Sequence, residues 1–224
     1  MSGSGHTTFG RWLYSTLWIL CRTFGVAVFG IRVRFDEPLP PTGGLLLLSS
    51  HQSHLDPLLI GLATDRRVSS LARSSLYRFK PFGAVITALD AVPIDRNASM
   101  VTAMKAVISR LKAGAAVVMF PEGTRTDTGR LGALKPGFTL LAKRAEVPVV
   151  AVAIVGAYEC WPKSRMLPRP GRIRIEFGRV ISAAEVARLD DRELTARITQ
   201  QLTVLDARGR AARGRQGPRG SGTP

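Results

Sequence analysis

Short apolar runs alternate with amphipathic stretches between residues 45 and 205. Leu45–Leu48 is a run of four leucines bounded by turn residues. Val68–Ala72 and Ala91–Ile94 are shorter runs, while Ala115–Phe120 and Val147–Val155 are longer and rich in β-branched residues. Apolar runs of this length, stopped by Gly, Pro or polar clusters, predict buried strands. Arg172–Phe177 alternates charged and apolar residues, the period-two pattern of a half-exposed edge strand. Between the strands, Val101, Met104, Ile108 and Leu111 recur at helical spacing. They predict a helix opened by Asn97 or Ser99 and closed by Gly114. A short helix is expected over Phe138–Ala145, and Leu194, Ile198, Leu202 and Leu205 mark the apolar face of a last one. Strands alternating with helices predict an α/β fold, with a mixed, largely parallel central sheet flanked by helices.

The two ends break this pattern. Arg11–Ile31 is apolar almost throughout, with Trp12, Tyr14 and Trp18 near one end. A membrane-spanning helix needs about 20 consecutive apolar residues. Arg22 interrupts this run, at a cost of roughly 2.5–3.5 kcal/mol for a central Arg in a span, and Gly25 and Gly30 weaken the helix. The segment is therefore expected to be a membrane-interfacial helical element with its aromatic rings at headgroup depth. A span and a buried core helix are the alternatives. At the other end, Ala207–Pro224 holds Arg208, Arg210, Arg213, Arg215 and Arg219 and no acid, and is expected to be disordered. The expected organisation is a membrane-associating segment over 1–37, an α/β domain over 38–206 that starts at the Pro38–Gly44 turn cluster, and a basic tail over 207–224.

Charge narrows the partners. Lys and Arg number 32 against 16 Asp and Glu, a net +16. Such an excess points to an anionic partner: nucleic acid, a membrane surface, or phosphorylated substrates. Two cysteines, Cys21 and Cys160, make neither a disulfide framework nor a zinc quartet, and fit a reducing, cytoplasmic-side location.

Candidate chemistry gathers where strands stop, which is where open α/β sheets bind ligands. The first strand runs into Ser49-Ser50-His51-Gln52-Ser53-His54-Leu55-Asp56-Pro57. Asp56-Pro57 reads as a helix N-cap followed by a first-turn proline. A loop that turns back brings His51 to Asp56. Such a pair suits proton abstraction, with the carboxylate fixing the imidazole tautomer. His54 reads as a solvated or packing residue, and two histidines are too few for a metal site.

A second block, Phe120 to Thr126, follows the Ala115–Phe120 strand. Pro121 stops the ladder and Gly123 permits close backbone approach. Arg125 offers a planar fork of donors suited to phosphate. A structural ion pair between Glu122 and Arg125 is an equal alternative. Lys135-Pro136-Gly137 then opens a helix whose N-terminus adds N–H groups. A third block ends in Asp95-Arg96, and Arg73 closes a further strand. A surface salt bridge is the plainer reading of Asp95-Arg96. Convergence of Arg73, Arg96 and Arg125 on one phosphate is the functional one.

In order, these blocks resemble the glycerolipid acyltransferase family typified by bacterial 1-acyl-sn-glycerol-3-phosphate acyltransferase. His51, Ser53 and Asp56 match its N-H-x-S-x-x-D motif, an H-x-x-x-x-D pattern. Val92 to Arg96 match G-x-I-P-V-D-R, Phe120 to Arg125 match F-P-E-G-T-R, and Val147 to Val152 match V-P-I-V-P-V. Ser50, Asp90 and Ala151 depart from the pattern, at positions usually held by Asn, Gly and Pro.

The resemblance implies an O-acyltransferase of phospholipid synthesis. His51, oriented by Asp56, activates the acceptor hydroxyl for attack on acyl-coenzyme A or acyl-carrier protein. Arg125, with Arg96 and Arg73, holds the acceptor phosphate. Glu122, Gly123 and Thr124 shape that pocket, and Ser53 is a hydrogen-bonding loop residue within it. No metal or bound cofactor is implied. The implied partners are a phospholipid surface, a lysophosphatidic-acid-like acceptor and the thioester donor. Glycerol 3-phosphate, another lysophospholipid or an amino-lipid are alternative acceptors. The expected location is peripheral, on the cytoplasmic face of a membrane. A basic nucleic-acid-binding protein is the competing class. It is not expected, because it gives no use to His, Asp and Glu at strand ends or to the apolar N-terminus.

Overall fold

The structure is a computed structural model that describes Thr23 and residues 27–73, 92–94 and 100–215, with 71–73, 92–94 and Met100 described by backbone alone. The N-terminal run up to residue 22, Asp95, Arg96, the two candidate caps Asn97 and Ser99, and residues 216–224 lie outside the described residues.

The strands are β1 (Arg32–Phe35), β2 (Leu45–Ser49), β3 (Val68–Arg73), β4 (Val92–Ile94), β5 (Ala116–Met119), β6 (Val149–Val155) and β7 (Arg174–Ile181). The helices are α1 (Asp56–Ala63), α2 (Met100–Lys112), α3 (Gly137–Ala145), α4 (Ala157–Cys160), α5 (Ala183–Arg188) and α6 (Asp191–Gly214). The strands form one sheet in the order β1-β7-β6-β2-β5-β3-β4. Every pairing is parallel except β6 with β7, so the expected mixed, largely parallel sheet is found.

The four-leucine run is explained by its central place. All five residues of β2 are buried, because both faces of the sheet are covered. Leu46 and Leu48 pack with Val107 and Leu111 of α2, Phe138 of α3 and Ile198 of α6. Leu45 and Leu47 pack on the opposite face with Leu59 and Ile60 of α1 and Ile175 of β7. This is the period-two division of a strand between two layers. Because β2, β3, β4 and β5 are mutually parallel, their carboxyl ends share one edge of the sheet.

Three expectations change. Arg172–Phe177 is not an edge strand. β1 pairs with β7 in parallel, Phe35 opposite Phe177, and their rings stack at 4.4 Å. Ile173, Ile175 and Phe177 face one core layer, as the alternation predicts. The charged face is covered too: Arg208 of α6 donates from Nε to buried Glu176 at 2.8 Å, and Arg174 donates to Ala212 O at 3.1 Å. Next, β1 lies before residue 38, so the α/β unit begins earlier than the Pro/Gly cluster indicates. Finally, residues 207–214 are not a disordered tail but the last turns of α6. Arg208 pairs with Glu176 and Asp36, and Arg210 with Asp206 at 2.6 Å. Acids brought in from before and beneath the helix neutralise the arginines that looked uncompensated in sequence.

Candidate active site

β2 delivers the chain to the site edge. Ser50 extends the ladder: its N–H donates to Val152 O at 3.0 Å, and its hydroxyl accepts from Ile154 N at 2.9 Å. The loop over residues 50–55 then folds back on Asp56. Asp56 does not cap α1 as expected. Leu55 occupies the cap position without a side-chain bond, and Pro57 follows in the first turn. The Asp56 carboxylate instead points into its own loop. Oδ2 lies 2.8 Å from His51 Nδ1 and accepts from Gln52 N at 2.6 Å and Ser53 N at 2.8 Å.

Asp56 is fully buried, while the His51 side chain keeps 20% exposure. Burial pushes the Asp56 carboxyl above its ordinary pKa, opposed by the bond to His51 and the two backbone donors. The acceptor character of the carboxylate puts the imidazole proton on Nδ1. The lone pair is then on Nε2, the nitrogen turned away from Asp56. The ring lies flat on Phe120, centroids 4.0 Å apart and planes at 18°, so its rotation is restricted on that side.

Glu122 braces this arrangement from the next loop. Its Oε1 accepts from His51 N at 2.8 Å and its Oε2 from Gly132 N at 2.8 Å. Expected to line the acceptor pocket, Glu122 is buried with both oxygens engaged by backbone, and burial pushes its carboxyl upward. Thr126 N donates to His51 O at 2.8 Å, a second stitch between the two loops. Gly123 adopts φ +74°, which favours glycine, and its hydrogen sits where a Cβ would fall 2.8 Å from Lys135 Nζ. Gly123, with this ammonium beside it, and Thr124 are both exposed.

The remaining expected residues divide. Ser53 is fully buried; its hydroxyl donates to Trp161 O at 2.7 Å and accepts from Leu55 N at 3.2 Å, so it ties the loop together. Arg125 is partly buried, close enough to His54 for its charge to add to burial in lowering the His54 pKa. His54 is exposed and leans on Trp161, ring centroids 5.2 Å apart, in keeping with a packing residue. Arg73 ends β3 opposite Ile94 of β4, on the same sheet edge. Arg96 lies two positions beyond β4, outside the described residues.

Sequence reasoning missed the supports. Buried Gln52 donates from Nε2 to Gly129 O at 3.0 Å and accepts from Tyr158 N at 3.4 Å. Tyr158 in turn donates its hydroxyl to Asp127 O at 2.6 Å. Arg210 of α6 also donates to Gly129 O. A polar residue beside the candidate base was the one available signal, since the partners lie far along the chain.

The site thus brings together a buried acid, a directional imidazole and a neighbouring guanidinium. The chain belongs to the Acyltransferase family, whose profile matches residues 30–155, and it is an O-acyltransferase. The "1-acyl-sn-glycerol-3-phosphate acyltransferase" of Bacillus subtilis is 28% identical over 77% of this chain and 84% of that protein. A protein of the same description from Pseudomonas aeruginosa is 32% identical over 77% of this chain and 66% of its own length. The crystal structure of the 1-acyl-sn-glycerophosphate (LPA) acyltransferase from Thermotoga maritima shares the fold. Its TM-score is 0.73 at 22% identity, covering 90% of this chain and 82% of that one.

Proposed function

We propose that the protein moves a fatty acyl group from a thioester donor to the free hydroxyl of 1-acyl-sn-glycerol 3-phosphate, a step of phospholipid synthesis. The observation that carries this reading is the 2.8 Å contact between His51 Nδ1 and the buried Asp56 carboxylate, with Nε2 left for a reactant. His51 Nε2 takes the proton of the acceptor hydroxyl as its oxygen attacks the thioester carbonyl. Asp56 stabilises the imidazolium that forms. Collapse of the tetrahedral intermediate breaks the carbon–sulfur bond, and the departing thiolate takes the proton back from His51. An ester and a free thiol remain, and no electrons are exchanged with a third species. Arg125 binds the acceptor phosphate, with Arg96 and Arg73 contributing from neighbouring strand ends. Relatives of matching description support the choice of acceptor.

The donor is acyl-coenzyme A or acyl-carrier protein, both of which carry the charge complementary to a basic protein. The apolar segment within residues 1–37 anchors the enzyme to the cytoplasmic face of the membrane, where long-chain acceptor and product partition. Among the described residues no helix is long and apolar enough to cross a membrane. The test is thiol release from each donor against a panel of acceptors: lysophosphatidic acid, glycerol 3-phosphate and neutral lysolipids. Release dependent on lysophosphatidic acid, and abolished in a folded His51→Ala variant, is expected. Release with glycerol 3-phosphate alone would reassign the acceptor, and unchanged turnover in His51→Ala would remove its role as base.

A further inference from the structure

The loop over residues 161–173, between α4 and β7, has no assigned part in the reaction. It carries the two most exposed large apolar side chains among the described residues, Met166 at 88% and Leu167 at 71%. Lys163, Arg165, Arg169 and Arg172 flank them in sequence; no acid occurs from residue 160 to 175, though Lys163 reaches Asp127 at 2.6 Å. The exposure is built in, because the base of the loop is pinned. Trp161 Nε1 donates to Arg165 O at 3.0 Å, and Arg165 N to Pro162 O at 3.1 Å. Arg169 N donates to Cys160 O at 2.9 Å, and its Nε to Glu159 O at 2.7 Å.

The position of the loop gives the exposure a direction. On one side Trp161 packs on His54 and accepts from Ser53, next to His51. On the other, Ile173 N donates to Phe29 O at 2.9 Å, where the chain arrives from the apolar N-terminal run. The loop thus bridges the candidate site and the segment proposed as anchor.

We propose that this loop is a second membrane-docking element: Met166 and Leu167 enter an anionic bilayer, and the flanking cations rest on its headgroups. Two exposed apolar side chains flanked in sequence by cations fit a deformable anionic lipid surface. Docked this way, the loop sets the mouth of the site against the layer that holds the acceptor. This rests on the acyltransferase reading above and adds where the enzyme meets its lipid.

The experiment uses the full chain carrying Cys21→Ser and Met166→Cys, labelled at residue 166 with a polarity-sensitive dye. Buried Cys160, 1% exposed, stays unlabelled. The probe surface is vesicles of phosphatidylcholine with phosphatidylglycerol. Dye emission is expected to shift to the blue on these vesicles, and less on phosphatidylcholine alone. A Met166→Ser, Leu167→Ser variant is expected to lose about tenfold in kcat/KM toward vesicle-borne lysophosphatidic acid, the scale of two modest interfacial contacts. Its turnover of a short-chain, water-soluble acceptor should match the parent. Emission that stays at its aqueous value on the vesicles overturns the proposal, as does a shift with acyl-carrier protein instead of vesicles. If the parent enzyme turns over no lysophosphatidic acid in either form, the functional reading falls while the emission still decides the docking.

Discussion

If His51 is the base proposed above, replacing Asp56 by Asn should separate catalysis from folding at the centre of the site. Asparagine keeps the shape of the side chain and removes the charge. In the native protein Asp56 Oδ2 meets three groups, His51 Nδ1 at 2.8 Å, Gln52 N at 2.6 Å and Ser53 N at 2.8 Å. If the Asn oxygen takes the Oδ2 place, the two backbone bonds persist and His51 faces a neutral acceptor. If the amide turns, its NH2 confronts donors. Either way the imidazolium formed during proton transfer loses a charge-assisted partner in a dry pocket. Bonds to charged groups are worth about 1.5–3 kcal/mol. Taking that range, and about 1.4 kcal/mol per tenfold in rate, kcat should fall roughly 10- to 150-fold.

Stability should respond differently. Burial raises the Asp56 pKa, so the fold favours the protonated carboxyl. The stability contributed by this group is fully present below the unfolded pKa and declines as pH rises through the higher folded value. An amide carries no such titration, so Asp56→Asn should melt near the wild-type Tm at neutral pH and lose its relative stability only in acid. Thiol release at saturating donor gives kcat, and calorimetry between acid and neutral pH gives Tm. Near-wild-type turnover refutes the orienting role. A neutral-pH Tm loss large enough to account for the missing activity refutes the separation.

Arg125→Ala removes the guanidinium whose charge helps to lower the His54 pKa. If it holds the acceptor phosphate, kcat/KM for the acceptor should drop about 10- to 150-fold, the equivalent of a charged hydrogen bond, with donor KM unchanged in steady-state kinetics. Arg210→Ala takes one donor from Gly129 O, which also accepts from Gln52. Its kcat should fall about three- to tenfold, one neutral-acceptor bond's worth, with acceptor KM held and Arg210→Lys recovering part of the loss. Burial pushes the Cys160 thiol up to about 11 from 9.0, so it stays protonated and unreactive in the folded protein. Alkylation followed by mass spectrometry at pH 8 should modify Cys160 only after unfolding, and the stability it contributes should fade as pH rises above 9.0 and through about 11.

What could be read from sequence was what is local or two-sided. β2 shows itself because a strand covered on both faces must be apolar throughout, and four leucines are. His51 and Asp56 show themselves because the turn that joins them spans five positions. β1 does not. Its four residues are all exposed, and it is fixed by a parallel partner more than a hundred residues on. The brace on His51 from Glu122 spans 71 positions, and the tie from Ser53 to Trp161 spans 108. Neither leaves a mark on local periodicity. Asp56 misled because Asp before Pro fits a helix cap, and nothing nearby in sequence says that two backbone donors and an imidazole compete for the same oxygen.

The same distinction changes what the basic excess means. A net +16 reads as a surface waiting for an anion. Part of that charge is inside the architecture. Arg66 donates to the carbonyls of Pro40, Gly43 and Gly114, and Arg208 bridges Glu176 and Asp36 beneath α6. Cations committed in this way contribute little to steering, since their field is met by an acid or a carbonyl within bonding distance. In the loop from Lys163 to Arg172, Lys163 pairs with Asp127 at 2.6 Å and Arg169 donates to Glu159 O, so what sets the loop apart is an exposed apolar tip among four cations beside the candidate site. Total charge therefore does not identify the partner. Cations gathered around exposed apolar side chains, beside the base proposed above, would favour an anionic lipid interface over nucleic acid, which has no use for Met166 and Leu167.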